Sequence, residues 1–494
     1  MDDLPPNHFL SLQRPDVFVP TLAGTPDTST LAAHDFDVDT RTGFMPPQPP
    51  LSRLPEAWEP WEVALDDAIS RRLQLAERPG LSEEDEKKSE SWRNSIRELP
   101  ILPTADLKSS EVRLRRAHHV LAWVMHFYVH TLPCTTREIH IPPPITVPLL
   151  QVCAQLQLPP VLTYSDDVLY NWAFKTPPAS NILFQPKAEL HNLRCLTLFT
   201  GTRDEEEFYL SSARIELRGV EALSVMRAIM DEAFVGDEIA HKRITNYLRV
   251  LAGVIKEMQA LLAAVREGCD PTVFYHEIRP WFKGADSDTR GRKWVFDGLE
   301  LDPTLEDPAE LSGPSAGQSS LIHALDIFLG VDKYSHSNVS HFNARPHPSS
   351  TASAPAPGPS GADTVSPSAV ASSSAPAQPT VPFLTRMQSY MPRHHRAFLR
   401  HLQASPRPLR ALVERASSDP LTEAYDVAVT ALKEFRDEHV RIVALYILIP
   451  SRHAHSGQPS GQGAPKGTGG TDAFQFVKGV RDQTAGALLR GQGH

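Results

Sequence analysis

The sequence predicts an all-α protein with a small N-terminal helical domain and a larger helical domain after it. Three long segments carry apolar residues at steps of three and four, which is the spacing of one buried helix face. They are residues 113–129, 237–267 and 434–450. Alternating patterns typical of strands are scarce: 195–200 and 207–217 are ambiguous, and the second could equally begin a helix. We therefore expect a mostly helical fold.

Length and composition indicate a globular protein with a sizeable core. The chain has 494 residues, 41% of them hydrophobic, which is enough for two or more packed domains. A net charge of -10 argues against nucleic acid as a partner. The four cysteines form no CxxC pair, and the longest apolar runs, 120–129 and 442–449, are too short to cross a bilayer. No signal-like segment begins the chain, so we expect a cytoplasmic protein without a membrane partner.

Composition also divides the chain. We expect a flexible tail over 1–33, the small domain over 34–157 and the large domain over 158–494. Residues 346–379 are rich in Pro, Ser and Ala and nearly free of charge, so they are expected to be a disordered insert. Residues 451–470 are rich in glycine and polar residues and are expected to form a flexible loop.

The elements follow in order from local signals. Recurrent prolines delay the first helix until after Pro60, and it then continues through 66–78. The charged run 82–93 is expected to be a solvated face without a function. Helices follow at 113–129 and at 146–156, and 237–267 is the clearest helix of the chain.

Common catalytic motifs are absent from the sequence. It contains no G-x-S-x-G, no HExxH and no GxxxxGK[ST]. The segment KGTGGT at 466–471 is a weak nucleotide signal and a reasonable mobile lid. The histidine pairs 118–119 and 394–395 are poor chelators, because adjacent helical side chains diverge by about 100 degrees. The pair His453 and His455 has no carboxylate partner nearby.

Two segments leave a structural and a functional interpretation open. His439 lies in the apolar stripe of 434–450, either as a core histidine bonded to a carbonyl or as a ligand of a metal or haem. Small residues at 313–317 allow close backbone approach to a flat group, or they form a tight interhelical turn. Asp326, in the helix that follows, needs a partner such as Arg436.

The chain resembles the indoleamine 2,3-dioxygenase family, in a fungal-type form with a long insert. The matching segments occur in the family's order: SAGQSSLIHALDIFLGV, YMPRHHRAFL, LTEAYDVAVTALKEFRDEHVRIVALYILIP and KGTGGTDAFQFVKGVR. Weaker matches lie at 158–172 and 42–55. The resemblance implies that the larger domain binds haem b, with the iron ferrous in the active form.

It also implies residue roles. His439 matches the proximal haem ligand and therefore the metal ligand, and Arg436 matches an arginine that meets a haem propionate and the carboxylate matched by Asp326. Cofactor contacts are further implied for Ser315, Ala316 and Gly317. The implied substrate-binding residues are Tyr164, Val168, Phe208, Tyr209, Phe274, Arg279, Ser315, Ala316, Gly317 and Thr468. Among the residues at the reacting centre, the resemblance implies Ser212, Phe274 and Arg279.

The implied reaction inserts both atoms of O2 across the indole C2–C3 bond of L-tryptophan, giving N-formylkynurenine and starting the kynurenine route to NAD. A cellular reductant is implied for the iron, and nothing in the sequence argues against a monomer. Two alternatives remain open. Asp167, Tyr209 and Tyr275 leave room for another indoleamine substrate, since Asp167 replaces a small neutral residue. A haem-binding sensor with little turnover is the other alternative, and Arg279 and Phe274 argue against it.

Overall fold

Helices build nearly the whole protein. The computed structural model describes residues 36–176, 188–288, 290–335, 382–416, 418–454, 467 and 473–490. It is 66% helix and 4% strand, which confirms the all-α prediction. The predicted tail 1–33, the insert 346–379 and Thr468 lie outside the described residues. No helix in the described ranges is long and apolar enough to cross a membrane.

The helices and strands have the following bounds. The α-helices are α1 Glu59–Ser70, α2 Glu83–Arg97, α3 Glu111–His130, α4 Pro143–Leu156, α5 Arg203–Val235, α6 Glu238–Ala264, α7 Pro271–Val273, α8 Ser320–Leu329, α9 Asp332–Ser335, α10 Phe383–Met387, α11 Arg393–Gln403, α12 Leu409–Ala416, α13 Asp419–Val443, α14 Ile449–Ala454 and α15 Ala473–Ala485. The strands are β1 Glu138–Ile141, β2 Ala173–Phe174, β3 Leu193–Arg194 and β4 Lys293–Phe296. β1 pairs in parallel with β4, and β2 pairs antiparallel with β3.

The long helices α5, α6 and α13 pack side by side, with α6 in contact with both neighbours. Two of them begin with a signal readable in the sequence: the side chains of Thr202 and Asp237 cap the first turns of α5 and α6. Their facing apolar residues form a buried core together with Leu321 and Leu325 of α8. Because this core is contiguous, it fixes where side chains on α5, α8 and α13 meet.

Several predicted boundaries are wrong, each for a local reason. The first helix begins at Glu59, with Pro60 in its first turn, where proline costs no hydrogen bond. It ends at Ser70 instead of continuing to 78. α4 likewise starts at Pro143, because the prolines at its start occupy the first turn. The charged run at 82–93 forms α2 and is not wholly solvated, since Trp92 is buried.

The two ambiguous stretches resolve differently. Residues 207–217 are part of α5, and 195–200 form neither helix nor strand. Residues 451–454, predicted to begin a flexible loop, continue α14. The predicted domain boundary at residue 157 stays a prediction. One buried core cluster has members on both sides of it, from Met45 to Val480.

Candidate active site

His439 lies near the C-terminal end of α13 and is the first residue of the candidate site. Phe435, one turn earlier, and Ile442 and Val443, one turn later, are buried, but His439 itself is half-buried. No hydrogen bond joins its ring to another described residue, which the core-histidine interpretation would require. Burial and the nearby Arg436 lower the pKa of His439 to about 4. At neutral pH the imidazole is therefore uncharged and can act as a ligand.

Arg436, one turn before His439, is held by a buried ion pair. Its Nη2 lies 2.6 Å from both carboxylate oxygens of Asp326 in α8. Its Nη1 donates to the hydroxyl of Thr484 in α15. Arg436 and Asp326 are only 5% and 1% exposed, so the pair links three helices in a dry environment. The structure thus joins the arginine and carboxylate that the sequence predicts to be partners.

Aromatic rings from three elements meet beside the end of α13. The ring centroids of Phe208 and Phe274 are 4.5 Å apart, and Phe274 packs edge-on against Tyr446 at 5.6 Å. Tyr446 comes two turns after His439, so the cluster includes a ring from the same helical stretch that carries the histidine. Tyr209 packs near Phe282 at 5.7 Å. Three of the predicted substrate-binding residues, Phe208, Tyr209 and Phe274, therefore share one aromatic cluster.

Arg279 brings a buried positive charge to the same region. It follows Phe274–Ile278 directly and is only 7% exposed. Burial lowers the pKa of its guanidinium, and its Cζ lies 5.6 Å from the Tyr275 ring centroid. A desolvated guanidinium attracts an anionic ligand strongly, since water competes little for its donors.

A buried carboxyl group that the sequence analysis missed links three of the elements. Glu216 of α5 accepts hydrogen bonds from the Tyr164 hydroxyl at 2.9 Å and the Ser319 hydroxyl at 2.7 Å. Burial raises the pKa of Glu216 to about 7, and its Oε2 has no partner among the described residues. Burial and Glu216 raise the pKa of Tyr164, and Ser212 and Ser319 partly offset this rise. The signal that could have indicated this group is the position of Glu216, an acidic residue four positions after the predicted site residue Ser212.

The segment Ser315–Gly317 belongs to a tightly tied turn. The Gln318 side chain donates to the carbonyl of Gly313 at 2.9 Å and accepts from the N–H of Tyr164 at 2.8 Å. A Cβ atom on Gly313 would lie 1.8 Å from the carbonyl oxygen of Phe282. The predicted close approach therefore exists, and at Gly313 it is an approach to another backbone segment. Ala316 is exposed, and Ser315 and Gly317 are half-buried.

Three π-helical turns accompany these residues in the described part of the chain. They span Ser165–Leu169, Phe274–Ile278 and Ala444–Leu448. The first contains Val168, which is buried, and the second contains Phe274. Such turns insert one extra residue into a helix and often mark functional sites. The second turn carries Phe274 and the third carries Tyr446, both in the aromatic cluster, and the first turn packs against α5.

Hydrogen bonds hold both members of the first histidine pair. His118 binds Asp166 and His119 binds the Thr197 hydroxyl, both at 2.8 Å. In the described ranges no three His, Cys, Asp or Glu side chains are grouped to hold a metal ion.

A helical fold that brings an unbonded histidine, packed aromatic rings and a buried arginine together is typical of an enzyme for a flat aromatic ligand. Comparison with known families makes the class specific. Residues 32–487 match the indoleamine 2,3-dioxygenase family, and the chain belongs to it. Members of this family are haem-dependent enzymes of tryptophan catabolism.

Relatives from fungi and animals match over most of their length. The chain is 30% identical to an indoleamine 2,3-dioxygenase of Saccharomyces cerevisiae over 90% of each chain. It is 28% identical to indoleamine 2,3-dioxygenase 1 of Rattus norvegicus, over 92% of this chain and 95% of that protein. It is also 27% identical to a 6-hydroxytryptophan 2,3-dioxygenase of Fusarium equiseti, over 92% and 97%.

The described residues fit a haem group. Several apolar side chains pack on the core yet remain partly exposed, as they would when a flat apolar cofactor covers them. They include Phe208, Leu262, Leu445, Ile447 and Phe476. His439 would supply one neutral nitrogen, and Arg436 would supply a cation for an acidic group at the edge of the cofactor.

Proposed function

We propose that the protein is a haem-dependent dioxygenase that inserts both atoms of O2 across the indole C2–C3 bond of L-tryptophan or a related indoleamine. The product from tryptophan is N-formylkynurenine. The observation that carries the proposal is the His439 imidazole: its pKa is lowered to about 4, it makes no hydrogen bond to another described residue, and it lies two helical turns before Tyr446, which packs on Phe274. One relative is named for tryptophan bearing a ring hydroxyl, so the substrate class includes such compounds.

His439 would hold haem b by its iron, and Arg436 would face a propionate. Ferrous haem supplies the iron that activates O2, and a cellular reductant keeps it ferrous. Asp326 and Thr484 fix the Arg436 side chain on two sides, so it is oriented before the cofactor arrives. Ser315, Ala316 and Gly317 would lie along the cofactor and the polar end of the substrate.

The substrate would be oriented at both ends. Arg279 would bind the substrate carboxylate, because its buried guanidinium presents two parallel donors to a planar anion. Phe208 and Phe274 would pack on the indole ring, while Tyr164 and Val168 would surround its benzo portion. Tyr209 and Ser212 would complete the wall of the pocket, and Thr468 would approach the ammonium end. Orienting the indole toward the cofactor and excluding water would be the protein's main contributions.

Replacing His439 by alanine tests the cofactor assignment. The His439→Ala protein is expected to bind haem too weakly to retain it through gel filtration and to lose its Soret band. The matched control is His191→Ala, which removes a histidine that is 86% exposed and is not among the predicted ligands. Full haem occupancy in His439→Ala would refute the assignment.

Product formation tests the reaction itself. Haem-loaded protein is reduced with ascorbate and a dye mediator and given L-tryptophan in air, while product absorbance and the Soret band are recorded together. We expect N-formylkynurenine from the unchanged protein. In Arg279→Ala the Soret band should stay normal and KM should rise by about a hundredfold, the effect of losing a charge-assisted pair of hydrogen bonds. Unchanged kinetics would remove Arg279 from the substrate site.

A further inference from the structure

Asp167 is a buried carboxyl group whose Oδ1 has no hydrogen-bond partner among the described residues. It lies in the π-helical turn Ser165–Leu169 and is only 4% exposed. Its Oδ1 makes no hydrogen bond, and no side-chain hydrogen bond from its other oxygen reaches a described residue. Burial, with Asp166 and Glu205 nearby, raises the pKa of Asp167 well above its usual range. Leaving such a group unsatisfied costs about 1–3 kcal/mol, so a retained one calls for an explanation.

Neighbouring carboxyl groups show that the region does supply partners to acids. Asp166 binds the His118 ring at 2.8 Å and accepts from the N–H and hydroxyl of Thr163. Glu205 accepts from the N–H groups of Phe199 and Thr200 at 2.7 Å each. The Oδ1 of Asp167, the residue that follows Asp166, accepts no hydrogen bond from the described residues. The Oδ1 of Asp167 is therefore outside the hydrogen-bond network formed by Asp166 and Glu205.

The turn that carries Asp167 packs against α5, which bears the predicted pocket residues Tyr209 and Ser212. Along the chain, Asp167 stands between Tyr164 and Val168, two further predicted pocket residues. Tyr164 points to α5, where its hydroxyl reaches Glu216. Asp166 points the other way, to His118 of α3. Asp167 lies near enough to Tyr209 of α5 to contribute, after burial, to the raised pKa of the Tyr209 hydroxyl.

We propose that Asp167 determines substrate specificity by accepting a hydrogen bond from a polar group on the benzo ring, so that ring-hydroxylated tryptophans are preferred substrates. The inference rests on the proposed function, because it places the indole between Tyr164, Val168 and the aromatic cluster. A hydroxyl on the benzo ring would supply the donor that the Oδ1 of Asp167 lacks. Unsubstituted tryptophan would leave that oxygen unpaired, and such a mismatch discriminates strongly between otherwise similar ligands.

The test compares substrates of similar size that differ in donor capacity. The 5- and 6-hydroxy derivatives of L-tryptophan are compared with the matching fluoro derivatives, which offer no donor. Haem-loaded protein is assayed unchanged and as Asp167→Leu and Asp167→Asn. We expect the unchanged protein to favour one hydroxy isomer over its fluoro partner in kcat/KM. In Asp167→Leu that preference should fall by about tenfold to a hundredfold, because one hydrogen bond to the carboxyl is lost.

The second variant keeps the proposal testable if leucine disturbs folding. Asp167→Asn keeps the shape and one acceptor oxygen, so it should retain part of the hydroxy preference. A merely structural role would change kcat/KM for hydroxy and fluoro substrates by the same factor in both variants, and that result would overturn the proposal. An unchanged protein that treats the hydroxy and fluoro partners alike would overturn it as well.

Failure of the proposed function has a different signature. If the haem-loaded protein oxidises no indole at all, the dioxygenase proposal fails. The dissociation constants of the hydroxy and fluoro compounds, measured by calorimetry, then still test Asp167. A hydroxy preference that disappears in Asp167→Leu supports recognition by Asp167, and equal constants throughout contradict it.

Discussion

Glu216 offers a direct test of the electrostatics at the centre of the pocket. Its carboxyl is 1% exposed, and burial raises its pKa from an ordinary 4.5 to about 7, although the hydroxyls of Ser319 and Tyr164 partly oppose the rise. Glu216→Gln removes the titration and keeps an oxygen that can accept from both hydroxyls. The variant should therefore change how stability depends on pH more than it changes the fold.

The expected magnitude follows from the difference in pKa between the folded and unfolded chain. Because the folded value is raised, the carboxyl's contribution is fully present below about pH 4.5 and is lost as pH rises through about 7. The whole difference corresponds to about 3 kcal/mol. Between about pH 5 and about pH 8 the unchanged protein should lose about 2.5 kcal/mol of unfolding free energy through Glu216 alone.

Urea denaturation of both proteins at a series of pH values measures this effect. Other titrating groups affect both proteins equally and cancel in the difference between them. The advantage of Glu216→Gln over the unchanged protein should therefore grow by about 2.5 kcal/mol from about pH 5 to about pH 8. Two parallel stability curves would show that Glu216 has an ordinary pKa when folded and would refute the assigned burial cost.

Two other features give predictions measurable by the same denaturation assay. Gly313→Ala should destabilise the protein by more than about 3 kcal/mol, because its Cβ would lie 1.8 Å from the Phe282 carbonyl oxygen. Gly253→Ala, in an open and exposed part of α6, should instead stabilise it by about 1 kcal/mol, and equal effects of the two substitutions would contradict the packing. Asp326→Ala should cost about 3–5 kcal/mol because it leaves the buried Arg436 cation without its carboxylate, and a loss below about 1 kcal/mol would refute this.

Much of the fold could be predicted because its helices carry their own signals. α6 was expected over 237–267 and spans Glu238–Ala264, with a capping Asp237 and an apolar stripe that only Gly253 interrupts. The first helix was predicted too long because Leu73 and Leu75 continue its apolar pattern. Both are buried, 3% and 5% exposed, but in chain that has already left the helix. Burial alone therefore does not determine secondary structure. Apolar periodicity cannot distinguish the end of a buried helix from buried chain that follows it.

The candidate site was only partly predictable, because its decisive features are pairings between distant segments. Glu216 bonds to Tyr164 and Ser319, which lie 52 and 103 residues away, so no local pattern reports them. The adjacent acids Asp166 and Asp167 look equivalent in the sequence. The fold gives the first a histidine 48 residues earlier and leaves the Oδ1 of the second without a partner among the described residues. A buried acid whose oxygens accept hydrogen bonds from the protein has a structural role. The Oδ1 of Asp167 accepts none from the described residues, and we therefore infer that Asp167 recognises the substrate.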